Sequence, residues 1–175
     1  MARIEVVRTS EAPAELLAAC HRLVLDAFED GFGADDWEHA LGGYHVVATE
    51  GQRVVAHAAV VPRTLDVGGR ELRAGYVEAV ATDRSRRGEG IGSEVMARVG
   101  GVVRAEFEIG ALSTGIHDFY ERLGWVRWQG PTFVRRGDRV ERTPDEDDGV
   151  MVLLTGVDVD LTAPITCEER AGDDW

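Results

Sequence analysis

Lysine is missing from this chain of 175 residues, so all 19 basic side chains are arginine. Any cation offered to a ligand is therefore a planar, bidentate guanidinium, which suits phosphate well. Cysteine is scarce: Cys20 and Cys167 are too few for a disulfide framework. The histidines, at positions 21, 39, 45, 57 and 117, fall into no Cys/His ligand spacing, so no metal is expected. Long apolar runs are absent, and none approaches the roughly 20 residues that cross a bilayer. The opening Met1-Ala2-Arg3-Ile4-Glu5 lacks the apolar stretch of a signal peptide, and a soluble, cytoplasmic protein is expected. Low-complexity linkers and internal repeats are also lacking. With 44% hydrophobic residues the chain can bury one sizeable core, and a single domain over residues 1–175 is expected.

Basic residues are outnumbered by 32 acidic ones, giving a net charge of −13. That balance opposes nucleic acid and anionic membrane as partners and favours encounter with cations, although solubility alone would explain such a total.

The pattern along the chain changes at about Tyr44. Before it, Arg3–Arg8 alternates as a strand. Ser10 is placed to cap a helix carrying Leu16, Ala19, Leu23, Ala27 and Phe28, and Asp35-Asp36 opens a short helix stopped by Gly42-Gly43. After it, Tyr44–Glu50, Arg53–Leu65 and Glu71–Thr82 read as an antiparallel meander separated by Gly51-Gln52 and Gly68-Gly69. A helix over Ile91–Phe107, a buried strand Ile109–Leu112 and a helix His117–Leu123 follow. Thr132–Arg135 and Val150–Thr155 are strands flanking the acidic segment Asp145-Glu146-Asp147-Asp148. The tail ends on Trp175, which is unusual because free tails have little to bury an indole against.

Chemistry concentrates where the strand Tyr76-Val77-Glu78-Ala79-Val80-Ala81 runs into Arg87-Gly88-Glu89-Gly90-Ile91-Gly92 and a helix. Glycines let successive N–H groups converge on a phosphate, and the helix adds the positive end of its dipole. Neither Gly-x-Gly-x-x-Gly nor a Gly-Lys-Ser/Thr ending is present, so dinucleotide and nucleotide P-loop readings fall. Within Tyr76–Ala81 Glu78 is the only acid. An acid inside an apolar run serves either a salt bridge or a proton transfer.

The order Arg87-x-x-Gly90-x-Gly92, a helix, the strand Ile109-Gly110-Ala111-Leu112 and then Phe119-Tyr120-Glu121-Arg122-Leu123-Gly124-Trp125 resembles the GCN5-related N-acetyltransferases (GNAT). The resemblance implies an α+β fold with a mixed, mostly antiparallel sheet, flanking helices and a splayed strand pair that binds acetyl-coenzyme A. It further implies that the Val80 N–H polarises the thioester, that Tyr120 protonates the departing sulfur and that Glu78 takes the amine proton. The coenzyme would be held by Val80, Thr82, Arg87, Gly88, Gly90, Gly92, Ser93 and Ser113. No acyl-enzyme is expected, because neither cysteine has a base placed beside it.

A narrower resemblance covers about Leu23 to the last residue. Asp36-Trp37-Glu38-His39-x-Leu41-Gly42-Gly43, Ala56-His57-Ala58-Ala59-Val60, Gly75-Tyr76-Val77-Glu78-x-Val80-Ala81, Gly110-Ala111-Leu112-Ser113, Arg142-Thr143-Pro144-Asp145 and Arg170-Ala171-Gly172-Asp173-x-Trp175 resemble the aminoglycoside 2′-N-acetyltransferases. That family implies a homodimer and an acceptor bound by Asp36, Glu78, Asp147, Asp173 and the carboxylate of Trp175. The chain departs from the pattern at Gly31, where the family has an aspartate. Its acidic loop is one residue longer, so that Glu146 and Asp147 compete for one role. Two other functions remain open on the residues: acetylation of another cationic amine, such as a polyamine or a peptide N-terminus, and a binding module without turnover.

Overall fold

A computed structural model describes residues Met1–Trp175 as two compact units, Met1–Val61 with Val77–Val102, and Pro62–Tyr76 with Val103–Trp175. In the first, β1 (Arg3–Arg8) pairs antiparallel with β2 (Tyr44–Glu50) from Arg3↔Thr49 to Arg8↔Tyr44. β2 then pairs with the first part of β3 (Arg53–Val67), from Tyr44↔Val60 to Glu50↔Arg53. Helix α1 (Ala14–Phe28) lays Leu16, Ala19, Leu23 and Ala27 onto a cluster with Val47, Val54, Ala59, Ala79 and Ala81, as its 3.6-residue spacing requires. α1 starts later than the sequence implied: Pro13, not Ser10, is the N-cap residue, and no side chain caps it. Proline's fixed φ and missing N–H make it a natural first boundary, and it disfavours helix in the residue before it.

The short helix α2 (Ala34–His39) is closed as expected by the glycine pair. Gly42 takes φ 93°, and a Cβ on Gly43 would stand 2.1 Å from the Val60 carbonyl oxygen, so only glycine lets the chain enter β2 at that distance. The last part of β4 (Arg70–Thr82) and most of α3 (Ile91–Glu106) complete this unit.

The second unit carries strands in the order β6-β9-β5-β4-β3-β10-β7-β8, where β5 is Ile109–Ser113, β6 Val126–Arg127, β7 Thr132–Arg136, β8 Arg139–Arg142, β9 Val150–Leu154 and β10 Ile165–Glu168. The pairings β4/β5 and β10/β7 are parallel and β10/β3, β5/β9, β6/β9 and β7/β8 antiparallel, which makes the sheet mixed and mostly antiparallel, as expected. Helix α4 (His117–Glu121) stops two residues short of the expected Leu123, because the Leu123 and Gly124 N–H groups bond three residues back, to the Tyr120 and Glu121 carbonyls, and tighten the last turn before Gly124 at φ 89°. Its core holds Leu65, Leu72, Tyr76, Ile109, Trp125, Met151 and Ile165, all nearly inaccessible to water.

Candidate active site

The strand β4 carries the first group of residues. Its pairing with β5 runs from Ala74↔Ile109 to Tyr76↔Ala111 and stops, although β4 continues to Thr82. Three residues later Ala79 adopts φ 51°, a left-handed conformation that costs a residue with a Cβ about 1–2 kcal/mol. Glu78 and Val80 flank it, both half-buried, while Val77, Ala79 and Ala81 are buried. The peptide on each side of Ala79 is thereby turned out of regular pleating, the way a bulge redirects a backbone N–H. What holds it is His57, whose Nδ1 lies 2.8 Å from the Ala79 carbonyl oxygen.

Below this bulge the chain enters the glycine turn. Asp83 anchors it: its N–H donates to the Val55 carbonyl at 2.8 Å, and its carboxylate accepts from the Ser85 N–H at 2.9 Å and hydroxyl at 2.6 Å. Arg86 is saturated by acids, ion-paired with Glu50 and, at 2.7 Å, with Glu89, which lowers the Glu89 carboxyl's affinity for a proton. Arg87, by contrast, is exposed, with Nε 3.4 Å from the Thr82 carbonyl and no carboxylate partner. Gly88 and Gly90 take φ 82° and 86°, and a Cβ on either would meet no atom within 4 Å. Conformation, not crowding, requires glycine there. Two left-handed glycines leading into the first turn of α3, whose leading N–H groups have no intrahelical acceptor, fit a diphosphate, with Gly92 and Ser93 in that turn. Sequence reasoning thus brings Glu78, Val80, Thr82, Arg87, Gly88, Gly90, Gly92 and Ser93 onto one continuous strand, turn and helix.

In the other unit Tyr120 sits on α4, 8% exposed, and edge-on to Trp125 with centroids 6.4 Å apart. Burial pushes its phenol up to about 12, so it keeps its proton at neutral pH. Ser113, at the end of β5, donates to Glu146 at 3.1 Å. Gly149 makes room for that contact, since a Cβ there would stand 2.9 Å from Ser113 Oγ.

Asp147 is engaged elsewhere. It accepts from the Thr132 N–H and hydroxyl, each at 2.9 Å, and from both terminal nitrogens of Arg142. These donors hold its carboxyl at about 2, Arg142 contributing most and burial opposing. Of the two acids competing in this loop, Glu146 is the one beside Ser113. Asp36, on α2, spends one oxygen on the Gly33 N–H at 2.6 Å, a helix cap.

The tail is ordered. Trp175 is 7% exposed and its indole donates to Thr143 Oγ1 at 3.2 Å. Asp174 pairs with Arg136 and accepts from the Arg170 N–H at 3.3 Å. Asp173 is exposed, its carbonyl accepting from Arg170 Nε at 2.7 Å.

A carboxylate and a bulged peptide on one strand, feeding a two-glycine turn into a helix, are what the motif order led one to expect of a coenzyme A acyltransferase. The chain belongs to the acetyltransferase (GNAT) domain family, whose pattern it matches over residues 9–127. Along 176 aligned residues it is 43% identical to an aminoglycoside 2′-N-acetyltransferase of Mycolicibacterium fortuitum, covering 97% of this chain and 90% of that one. Among solved structures it resembles the GNAT-family N-acetyltransferase YhbS of Escherichia coli in complex with CoA, with a TM-score of 0.67 at 19% identity, over 98% of this chain and 93% of that one. It also resembles a GCN5-related N-acetyltransferase of Kribbella flavida, with a TM-score of 0.61 at 23% identity over 74% of this chain. This chain spans only about a third (34%) of the Kribbella protein.

Proposed function

We propose that this chain is a single acetyltransferase domain, working as a cytoplasmic homodimer, that moves an acetyl group from acetyl-coenzyme A to the 2′-amino group of an aminoglycoside. The observation that carries the chemistry is the left-handed Ala79 between Glu78 and Val80, just beyond the point where the β4/β5 ladder ends. The substrate class rests on the relative from Mycolicibacterium fortuitum and on a net charge of −13, which draws in a ligand bearing several ammonium groups.

The residues divide the work as follows. Arg87, Gly88, Gly90, Gly92 and Ser93 hold the diphosphate, and the stretch of β4 beyond its last β5 pair at Tyr76, with Thr82, takes the pantetheine as an added strand would be taken. The Val80 N–H donates to the thioester oxygen as the amine nitrogen adds to the carbonyl carbon. Glu78 accepts the amine proton, directly or through water. Tyr120, protonated at neutral pH, passes its proton to the sulfur as the carbon–sulfur bond breaks. To the acceptor's ammonium groups we assign Asp36, Asp147, Asp173 and the Trp175 carboxylate, with Glu146, the acid bonded to Ser113, as the other candidate in the acidic loop.

The test is mass spectrometry after incubation with acetyl-coenzyme A and either a 2′-amino aminoglycoside or its 2′-hydroxy counterpart. Acetylation of the former alone supports the proposal. Acetylation of both, or of a polyamine in preference to either, replaces the acceptor, and turnover of no amine leaves a binding module.

A further inference from the structure

Beneath the β4 bulge, inside the first unit, lies a chain of polar groups in an otherwise apolar core. Thr9 Oγ1 is 2.8 Å from His45 Nε2, His45 Nδ1 is 2.9 Å from His57 Nε2, and His57 Nδ1 is 2.8 Å from the Ala79 carbonyl oxygen. Both rings are fully inaccessible to water. They lie on neighbouring strands, His45 opposite Ala59 and His57 opposite Val47, and Trp37 covers both, with ring centroids at 6.2 Å and 5.9 Å.

The geometry admits one arrangement of protons. A carbonyl oxygen only accepts, so His57 Nδ1 carries hydrogen. Burial lowers His57 to about 3 and His45 to about 4, so both rings are neutral and each carries one proton. His57 Nε2 is then an acceptor, and His45 Nδ1 must donate to it. His45 Nε2 is left as an acceptor, and the single Thr9 hydroxyl proton goes to it at 2.8 Å rather than to the Gly43 carbonyl, which lies farther off at 3.3 Å and already accepts from the Thr9 N–H. Thr9 in turn accepts from the Gly42 N–H at 3.0 Å, and its own N–H donates to the Gly43 carbonyl at 2.9 Å. Every bond in the series runs in the same direction and ends on the peptide between Glu78 and Val80. No alternative tautomer of either ring satisfies both of its neighbours. Among the titratable groups of this unit, Cys20, whose thiol burial pushes up to about 12, shares the core cluster with Val47, Ala59 and Ala79, His21 stacks on Trp37 at 4.5 Å, and Glu78 is next in sequence to Ala79.

We propose that Thr9, His45 and His57 form a one-way hydrogen-bond relay that locks the Ala79 bulge, and that His57 is thereby a positioning residue for acetyl transfer. The inference rests on the functional reading above for its kinetic consequence, and on the hydrogen bonds alone for the lock. A hydrogen bond to the Ala79 carbonyl fixes the rotation of the following peptide, and that peptide carries the Val80 N–H aimed at the thioester. Loosening it moves a donor away from the reacting oxygen without touching the glycine turn that binds the diphosphate. The remote end of the relay, at Thr9 and the Gly42-Gly43 pair, ties the bulge to the entry of β2.

The experiment combines two readouts on the full chain. Nitrogen-15 NMR of the wild type is expected to show both His45 and His57 neutral and protonated on Nδ1 from about pH 5 to pH 8. A His57 protonated on Nε2 overturns the relay. Steady-state kinetics of His57→Phe are expected to show kcat falling by about 10- to 100-fold while coenzyme A binding holds. His57→Asn, which returns a donor near the Nδ1 position, is expected to recover part of that loss. A folded His57→Phe with wild-type kcat overturns the positioning role, as does equal loss of coenzyme binding and kcat in both variants. Should His57→Phe not fold, Thr9→Val decides: mixed tautomers at His45 with a few-fold fall in kcat support the relay, and unchanged tautomers and kcat overturn it. A wild-type enzyme that turns over no 2′-amine fails the functional reading only, since the tautomers are read without substrate.

Discussion

The indole N–H of Trp175 donates to Thr143 Oγ1, and Thr143 Oγ1 in turn donates to Thr132 Oγ1 at 2.8 Å. Thr132 reaches Asp147 at 2.9 Å, so the Trp175 side chain is wired to the acidic loop through two threonines. Trp175 is therefore part of the core of its unit. Truncation by Trp175→Ala is expected to cost about 3 kcal/mol, as the loss of a buried tryptophan does. Trp175→Phe, which keeps the ring and loses the N–H, is expected to cost about 1 kcal/mol. Urea denaturation measures both.

Asp147 and Glu146 are adjacent and perform different tasks. Asp147 is held at about 2 against an ordinary value of 3.8, so the folded state favours its charged form. Its contribution is complete above 3.8 and disappears as pH falls through about 2. Asp147→Asn is expected to lower stability by about 1 kcal/mol at neutral pH, since solvent screens the exposed side of the Arg142 pair. The difference from the wild type should vanish in strong acid, which thermal melts at a series of pH values would show. Glu146→Gln, in contrast, is expected to leave stability unchanged and to raise KM for the acceptor.

The sequence was legible where a short-range rule operates. The meander, the Gly42-Gly43 stop and the turn into α3 come from glycines that a tight backbone demands, and each lies where the pattern put it. Strands β6, β8 and β10 escaped because nothing local announces them. β6 has two residues and β8 is exposed along its whole length, so neither shows an inward face. In β10, Ile165, Thr166 and Cys167 are all buried between β3 and β7, and period-two alternation is lost. The histidine pair was missed for a related reason. Scanned for metal spacing, His45 and His57 are 12 apart on different strands. Only the hairpin register, with His57 opposite Val47, makes them neighbours. A buried polar residue on each of two paired apolar strands was the available signal. Glu78 was legible as an acid inside an apolar run, and Val80 and Tyr120 through the motifs that resemble the family, whereas the occupation of Asp147 by Arg142 depends on the β7/β8 hairpin closing.

Tyr120 is the proton donor in the proposed reaction, and its buried phenol is held protonated at about 12. Tyr120→Phe keeps the ring against Trp125 and removes only the acid. A fall in kcat of about 100-fold, with coenzyme A affinity and the melting temperature little changed, is the expected result. Release of free thiol gives the rate and calorimetric titration the affinity. Undiminished kcat would remove the phenol from the mechanism and leave water to protonate the sulfur.

Gly149 and Ser113 provide a test in which the sign of a mutation reverses. A Cβ on Gly149 would lie 2.9 Å from Ser113 Oγ, so Gly149→Ala alone must turn the hydroxyl away from Glu146 or shift the loop, at an expected cost of about 1–2 kcal/mol. Gly149 does not need a left-handed backbone, and its N–H bond to the Glu146 carbonyl at 2.9 Å survives the substitution. In a Ser113→Ala background the obstructing oxygen is gone. Only the reduced entropy of the unfolded chain then remains, and Gly149→Ala is expected to stabilise by about 0.5 kcal/mol. The two substitutions therefore couple by about 2 kcal/mol, well beyond the additivity of independent sites. A double-mutant cycle of unfolding free energies measures that coupling, and additive costs would show that the Ser113 hydroxyl does not occupy the space facing Gly149.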